Sequence, residues 1–114
     1  MRSYPSISAL RQALEHAWSL ASSSKYSIEN PARGQCGVTA LVVQDIFGGE
    51  ILKTRTDEGM HFYNRIAGER HDLTLSQFYG PIPFDDIISS RDGALADTSD
   101  AQYRALRDRL GLVA

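Results

Sequence analysis

Residues 36–47 read CGVTALVVQDIF. Apolar side chains fall on nearly every face of a helix drawn through this segment, which is typical of a helix buried at the centre of a domain. The following Gly48 and Gly49 predict that the helix ends there. A strand is the competing interpretation because Val and Ile favour strands, but the segment is long beside a common strand of about five or six residues. We therefore predict a central helix that begins at Cys36.

A second helix is predicted near the N-terminus. Across residues 6–22, apolar side chains recur every three or four positions and so share one helical face; they are Ile7, Leu10, Leu14, Ala17, Trp18 and Ala21. Ser6 is a suitable N-cap, and the helix is expected to fade in the polar run at 21–24. Because proline disfavours a helical conformation in the preceding residue, Asn30-Pro31 predicts a loop that leads up to Cys36.

The middle of the chain predicts a small antiparallel sheet. Residues 50–56 (EILKTRT) and 60–66 (MHFYNRI) both alternate apolar and polar side chains and are rich in strand-forming residues. A turn at 67–69 and a further short strand that starts at His71 complete the expected meander.

The last third of the chain is less regular. Pro81 and Pro83 predict a loop, residues 85–89 a short helical turn, and residues 91–97 irregular structure. Ser99, with Gln102 three residues later, forms a capping-box pattern that opens a final helix. The expected fold is α+β: the Cys36 helix packs on a small antiparallel sheet, flanked by the N-terminal and C-terminal helices.

Size and charge narrow the class of protein. The 114 residues suit a single domain, predicted to span residues 1–114. A formal net charge of −2 gives no electrostatic footprint for nucleic acid or an anionic membrane, and residues 38–43, the longest apolar run, are far shorter than the ~20 residues that cross a bilayer. One cysteine forms no internal disulfide and no secretory signal pattern is visible, so a cytoplasmic protein is expected.

The position of Cys36 suggests nucleophilic chemistry. The N-terminus of a helix stabilises a thiolate through its unpaired N–H groups and its positive dipole end, so we expect the pKa of Cys36 to lie below that of a free thiol. The same N–H groups bind a developing oxyanion, and the side-chain amide of Gln35 is a further candidate donor if it turns back towards the sulfur.

A thiol nucleophile needs a base, and the base needs an orienting partner. Of the three histidines, His16 and His71 are expected at the surface, whereas His61 lies on the second strand, close enough in sequence to fold back onto Cys36. If the hairpin turn is centred between Ala67 and Gly68, Asp72 becomes the diagonal neighbour of His61 on one sheet face, whereas a shift by one residue removes Asp72 from that face. Cys36, His61 and Asp72 are therefore the predicted catalytic triad.

Two alternatives to the triad remain open at this point, a core cysteine and a binding module, whereas a metal site is not expected. A lone cysteine at the start of an apolar helix is often a simple core residue. A metal site built from Cys36, His61 and His71 matches no common ligand spacing and lacks a fourth ligand, so neither a metal nor another cofactor is expected. A non-catalytic binding module is the main rival function, with Phe62, Tyr63 and Tyr79 as candidates to line a ligand groove.

Four sequence blocks in this order, GQCGVTALVVQD, GGEILKT, HFYN and DLTLSQF, resemble the YunG-like family of small bacterial proteins. More remotely, a cysteine at the start of a buried helix, followed by His and then Asp on neighbouring strands, is similar to the papain-like superfamily, including bacterial amidases and peptidases of the NlpC/P60 type. That similarity implies Cys36 as nucleophile, His61 as base, Asp72 as orienter and Gln35 as oxyanion donor. The implied substrate is an amide-containing small molecule, peptide or protein, and the implied reaction is hydrolysis, deamidation or acyl transfer.

Overall fold

The architecture is α+β, with a central helix packed on a four-stranded antiparallel sheet. The structure, a computed structural model, describes residues 2–112. The elements in chain order are α1 (Ile7–Ala17), α2 (Cys36–Phe47), β1 (Glu50–Thr56), β2 (Gly59–Ile66), β3 (Glu69–His71), a 3-10 helix (Leu75–Gln77), β4 (Ile87–Ile88), α3 (Arg91–Ala96) and α4 (Asp100–Arg109). The predicted fold class is confirmed at this level.

Helix α2 has the predicted bounds, and its first eight residues, Cys36 to Val43, are all buried. One side of the helix joins α1 and α4 in an apolar cluster that includes Leu14, Val42 and Leu106. Its start joins a second cluster, which includes Phe62 of β2. The helix is therefore enclosed by helices on one side and by the sheet on the other, as its uniformly apolar sequence predicts.

The hairpin register agrees with the first of the predicted alternatives. Asn64 pairs with His71 and Ile66 with Glu69, so the turn is centred between Ala67 and Gly68. Ala67 and Gly68 both have positive φ, as a tight hairpin of this kind requires. The sheet order is β3-β2-β1-β4, and β3 covers the outer edge of β2 only from Asn64 onwards.

Side chains along β2 point alternately to the two faces of the sheet, and different parts of the chain pack on each face. Phe62 packs in the cluster at the start of α2, and Asn64 Nδ2 donates to the carbonyl of Ala40 in α2. The side chains of His61 and Tyr63 alternate with those of Phe62 and Asn64 and therefore lie on the opposite face of the sheet. There the chain after β3 covers them.

Two local predictions are wrong. Residues 85–89 form no helical turn, because Ile87–Ile88 pairs with Leu52 and Lys53 as edge strand β4. Residues 91–97 are not irregular, because Arg91–Ala96 forms α3, whose N-cap Ser90 accepts a hydrogen bond from the Gly93 N–H. Both elements depend on packing against distant parts of the chain, which a local sequence pattern does not show.

The terminal helices are largely as predicted. Ser6 caps α1 by accepting from the Ala9 N–H, although α1 ends at Ala17, earlier than expected. Ser99 caps α4 by accepting from the Gln102 N–H, which confirms the capping prediction. Over residues 2–112, no helix is long and apolar enough to cross a membrane.

Candidate active site

Cys36 is the first residue of α2, and only 6% of it is exposed. Its sulfur packs with Ala40 and Phe62. The thiol donates to the Asp97 carboxylate, with 3.9 Å between Sγ and Oδ2, and Asp97 directly follows the last residue of α3. At rest the thiol therefore points to a carboxylate rather than to an imidazole.

The surroundings of Cys36 oppose its ionisation. Burial, the largest cause, raises the pKa of the thiol to about 12, and the negative charges of Asp97 and Asp72 act in the same direction. The nearby main-chain N–H groups of Phe62 and Gly37 act against this rise without reversing it. The expectation of a lowered thiol pKa is therefore wrong, because desolvation and two carboxylates outweigh the helix N-terminus.

His61 and Asp72 form a buried pair. His61 Nε2 lies 2.6 Å from Asp72 Oδ2, and the two side chains are 2% and 4% exposed. The second carboxylate oxygen of Asp72 accepts from both the N–H and the hydroxyl of Thr74. Asp72 is thus held from two sides, and the predicted contact between these two residues is confirmed.

The pairing fixes the other ring nitrogen of His61. A carboxylate only accepts hydrogen bonds, so Nε2 donates to Asp72, and in the neutral imidazole Nδ1 then presents a lone pair. Nδ1 is buried and has no hydrogen-bond partner. The ring is held by Phe78, which meets it edge-on with 4.8 Å between ring centres, and by a stacking contact with Tyr63. The result is an imidazole held in one orientation, with Nδ1 unpartnered.

Cys36 and His61 are brought to one small cavity of about 140 Å³. Cys36 packs on the Phe62 side of β2 and His61 lies on the other side, so the two residues line the cavity at the edge of β2 that β3 leaves uncovered. No hydrogen bond joins the thiol and the imidazole within the described part of the chain. The cavity also contacts Lys25, Arg33, Glu58, Gln77 and Asp97.

The two glutamines near the thiol differ in whether the Nε2 donor of the side chain has a hydrogen-bond partner. Gln35 is fully buried and donates through Nε2 to the Ser19 carbonyl, and its atom without a partner is the acceptor Oε1. Its amide therefore does not turn back towards the sulfur as expected. Gln77, by contrast, lines the cavity and has a buried Nε2 donor without a partner.

Asp97 is a site residue that the sequence reasoning missed. Partial burial raises the pKa of Asp97, while Lys25, the Cys36 thiol and His61 act to lower it. The signal in the sequence is Gly37: a Cβ there would lie 3.0 Å from the Ala94 carbonyl oxygen, so glycine lets the end of α3 approach the start of α2.

A larger groove of about 550 Å³ adjoins the cavity. Thr56, Glu58 and Phe78 line both, and the apolar wall of the groove is formed by residues 78–83. Tyr79 stands on this wall with 99% of its surface exposed. Phe62 and Tyr63, the other aromatic residues predicted to line a groove, are buried, so that part of the prediction is wrong.

The remaining histidines lie apart from this cavity. His16 is exposed, and His71 is only partly exposed, with Nε2 3.8 Å from Glu69. Among residues 2–112, no group of three or more His, Cys, Asp or Glu side chains is arranged to hold a metal ion.

Comparison with known proteins identifies the family. The family model described as "YunG protein" matches residues 6–112. The chain belongs to the YunG family. Within it, the chain is 52% identical over 99 residues to the "Uncharacterized protein YunG" of Bacillus subtilis (strain 168). The aligned region covers 87% of this chain and 86% of that protein. No solved structure matches the chain.

Proposed function

We propose that this YunG-family protein is a papain-like thiol hydrolase, amidase or acyltransferase that acts on an amide or a related bond. One observation carries the proposal: the buried hydrogen bond between His61 and Asp72 leaves His61 Nδ1 as an unpartnered acceptor beside a cavity that Cys36 also lines. A buried imidazole oriented by a carboxylate, with its second nitrogen free, is the arrangement that a general base requires.

The proposed reaction begins with a substrate carbonyl in the small cavity. Cys36 Sγ forms a bond to the carbonyl carbon while the thiol proton passes to His61 Nδ1, and the π-electron pair moves to the carbonyl oxygen. Collapse of this intermediate expels the amine, which takes the proton from the imidazolium. Water, or a second amine, then attacks the thioester and regenerates the thiol.

The raised pKa of Cys36 restricts this mechanism. A preformed thiolate is absent near neutral pH, so the proton must leave during the attack, as it does from a serine hydroxyl. The thiol also has to rotate away from Asp97, its partner at rest. Substrate in the cavity would displace this contact, and the larger groove provides the adjoining space for the rest of the substrate.

The test uses p-nitrophenyl acetate, an activated carbonyl compound small enough for the cavity. We expect release of nitrophenolate and an acetyl group on Cys36, detected by intact mass. Cys36→Ser should abolish the acetyl-thioester, and His61→Ala should slow its formation about 10²-fold or more, the usual contribution of a general base. His16→Ala, a change at an exposed histidine, serves as the matched control. Equal rates in the wild type and His61→Ala would contradict the proposal.

A non-catalytic binding module is the second candidate, and the state of Cys36 favours it. A thiol that is 6% exposed, with its pKa raised to about 12, has the properties of a core residue. On this alternative the exposed Tyr79 and the groove beside it bind a ligand, and neither Cys36→Ser nor His61→Ala affects that binding.

A further inference from the structure

Gln77 is the last residue of the 3-10 helix that follows Asp72, and it is tied to the loop before Cys36. Its Oε1 accepts from the Gly34 N–H at 3.3 Å, and its main-chain carbonyl accepts from Asn30 Nδ2 at 3.0 Å. These two contacts set both the position of the backbone and the orientation of the carboxamide. The amide is therefore fixed before any ligand binds.

The other end of this carboxamide is unsatisfied. Gln77 Nε2 is buried and has no hydrogen-bond partner. A buried donor without a partner costs about 1–3 kcal/mol, so proteins rarely keep one without a reason. Of the buried side-chain atoms in residues 2–112 that lack a partner, the other two are His61 Nδ1 and Gln35 Oε1. Gln77 Nε2 is the donor among them.

Gln77 and its neighbour in the chain contact the surroundings of both Cys36 and His61. Gln77 lines the small cavity together with Cys36 and His61. On one side it holds Gly34, two residues before the nucleophile. On the other side, the next residue, Phe78, packs edge-on against the His61 ring. The donor thus lies in a segment that contacts the thiol loop and the base at once.

We infer that Gln77 Nε2 donates a hydrogen bond to the substrate carbonyl oxygen as that oxygen becomes negative during attack by Cys36. This role rests on the proposed function, and it replaces the one predicted for Gln35. A donor already oriented by the fold needs no reorganisation when charge develops, which is why such groups lower reaction barriers. No bond is formed or broken at Gln77 itself.

The experiment compares two reactions of the same thiol. Acylation by p-nitrophenyl acetate passes through an oxyanion, whereas alkylation by iodoacetamide occurs at a saturated carbon and forms none. Gln77→Met removes the donor and keeps the side-chain length. We expect its acylation rate to fall about 10²-fold, the loss typical of one oxyanion donor, with the alkylation rate unchanged. Gln12→Met, at an exposed position of α1, is the matched control and should change neither rate.

Gln77→Glu provides a second variant that retains an oxygen for the Gly34 N–H but lacks the donor. It should lose acylation in the same way if the loop before Cys36 is preserved. Equal loss of both reactions in the two variants would overturn the inference in favour of a structural role for Gln77, and so would full acylation in either. If the wild type is acylated rapidly and the Gln77 variants are acylated equally fast, this inference is overturned and the proposed function is not. Absence of acylation in the wild type overturns the proposed function with it.

Discussion

His61 and Asp72 are hydrogen-bonded at 2.6 Å across the diagonal of a hairpin, with almost no access to solvent. The pair forms because β3 is in the register that places Asn64 opposite His71, so the next residue of the chain falls beside His61. Thr74 then satisfies the second oxygen of Asp72. At 4% exposure, the Asp72 side chain has little contact with bulk solvent that could replace either partner.

Loss of the imidazole should therefore destabilise the protein. His61→Ala leaves the buried Asp72 carboxylate with Thr74 alone, and a buried acceptor that loses a hydrogen-bond partner costs about 1–3 kcal/mol, more when it is charged. Urea unfolding at neutral pH should show this fall in the free energy of unfolding. His16→Ala, at an exposed site, should change it by less than about 0.5 kcal/mol. Similar small losses in both variants would mean that the pair contributes little to folding.

Stability should also fall at alkaline pH because of Cys36. The pKa of its thiol is raised from 9.0 to about 12 in the folded protein, so above pH 9 the unfolded chain has lost a proton that the folded one retains. The contribution of the neutral thiol is complete below the unfolded pKa and is lost as pH rises towards the folded one.

Cys36→Ala isolates this effect. Burial raises the pKa of Tyr63 to about 12 as well, with the same sign, so the wild type alone does not separate the two groups. The urea midpoint of the wild type should fall more steeply than that of Cys36→Ala between about pH 9 and pH 11. Parallel slopes would show that the thiol is not desolvated in the folded state.

Removal of the charge at Asp97 should activate the thiol. Asp97→Asn removes a negative charge that raises the pKa of Cys36, while burial and Asp72 still act to raise it. The pH profile of iodoacetamide alkylation should therefore move to lower pH and the rate near neutral pH should increase. Asp92→Asn, at an exposed residue of α3, is the control and should leave the profile in place. An unchanged profile in Asp97→Asn would contradict the contact between Asp97 and the thiol.

A methyl group at Gly37 should separate α2 from α3. The Cβ of Gly37→Ala would lie 3.0 Å from the Ala94 carbonyl oxygen, so the end of α3 has to give way by a few tenths of an ångström. Overpacking of this kind costs about 1–3 kcal/mol, of which the helix preference of alanine offsets up to about 1 kcal/mol. Gly80→Ala has open space around the added Cβ and provides the comparison. Urea unfolding measures both, and equal stabilities would show that α3 adjusts without cost.

Local patterns predicted the elements that carry their own signals. The uniformly apolar run after Cys36, the alternation in β1 and the cap at Ser99 each correspond to an observed element. β4 and α3 were missed because the backbone of Ile87–Ile88 is paired by β1 and α3 packs against α2, both distant in sequence. Non-local pairing overrides local preference in such short segments.

The site, like the fold, was predictable from the sequence only where local patterns determine it. Strand periodicity made Asp72 the candidate partner of His61 on the condition that the hairpin turn is centred between Ala67 and Gly68, and the observed register meets that condition. The protonation of Cys36 was not predictable, because it depends on how deeply α2 is buried and on Asp97, 61 residues further along the chain. Gln35 was predicted as the oxyanion donor because it adjoins Cys36, but adjacency in sequence does not reveal that its Nε2 donates to the Ser19 carbonyl instead.

The length of β3 determines whether this site exists at all. The strand stops at His71, opposite Asn64, and leaves Phe62, which pairs with β1 on one side, without a paired strand on the other. Two more residues of pairing would place another strand along this edge, where the Phe62 N–H now lies near the sulfur of Cys36. The site thus lies at an edge of β2 that β3 leaves unpaired. An insertion that lengthened the hairpin would close it while leaving Cys36, His61 and Asp72 unaltered in sequence.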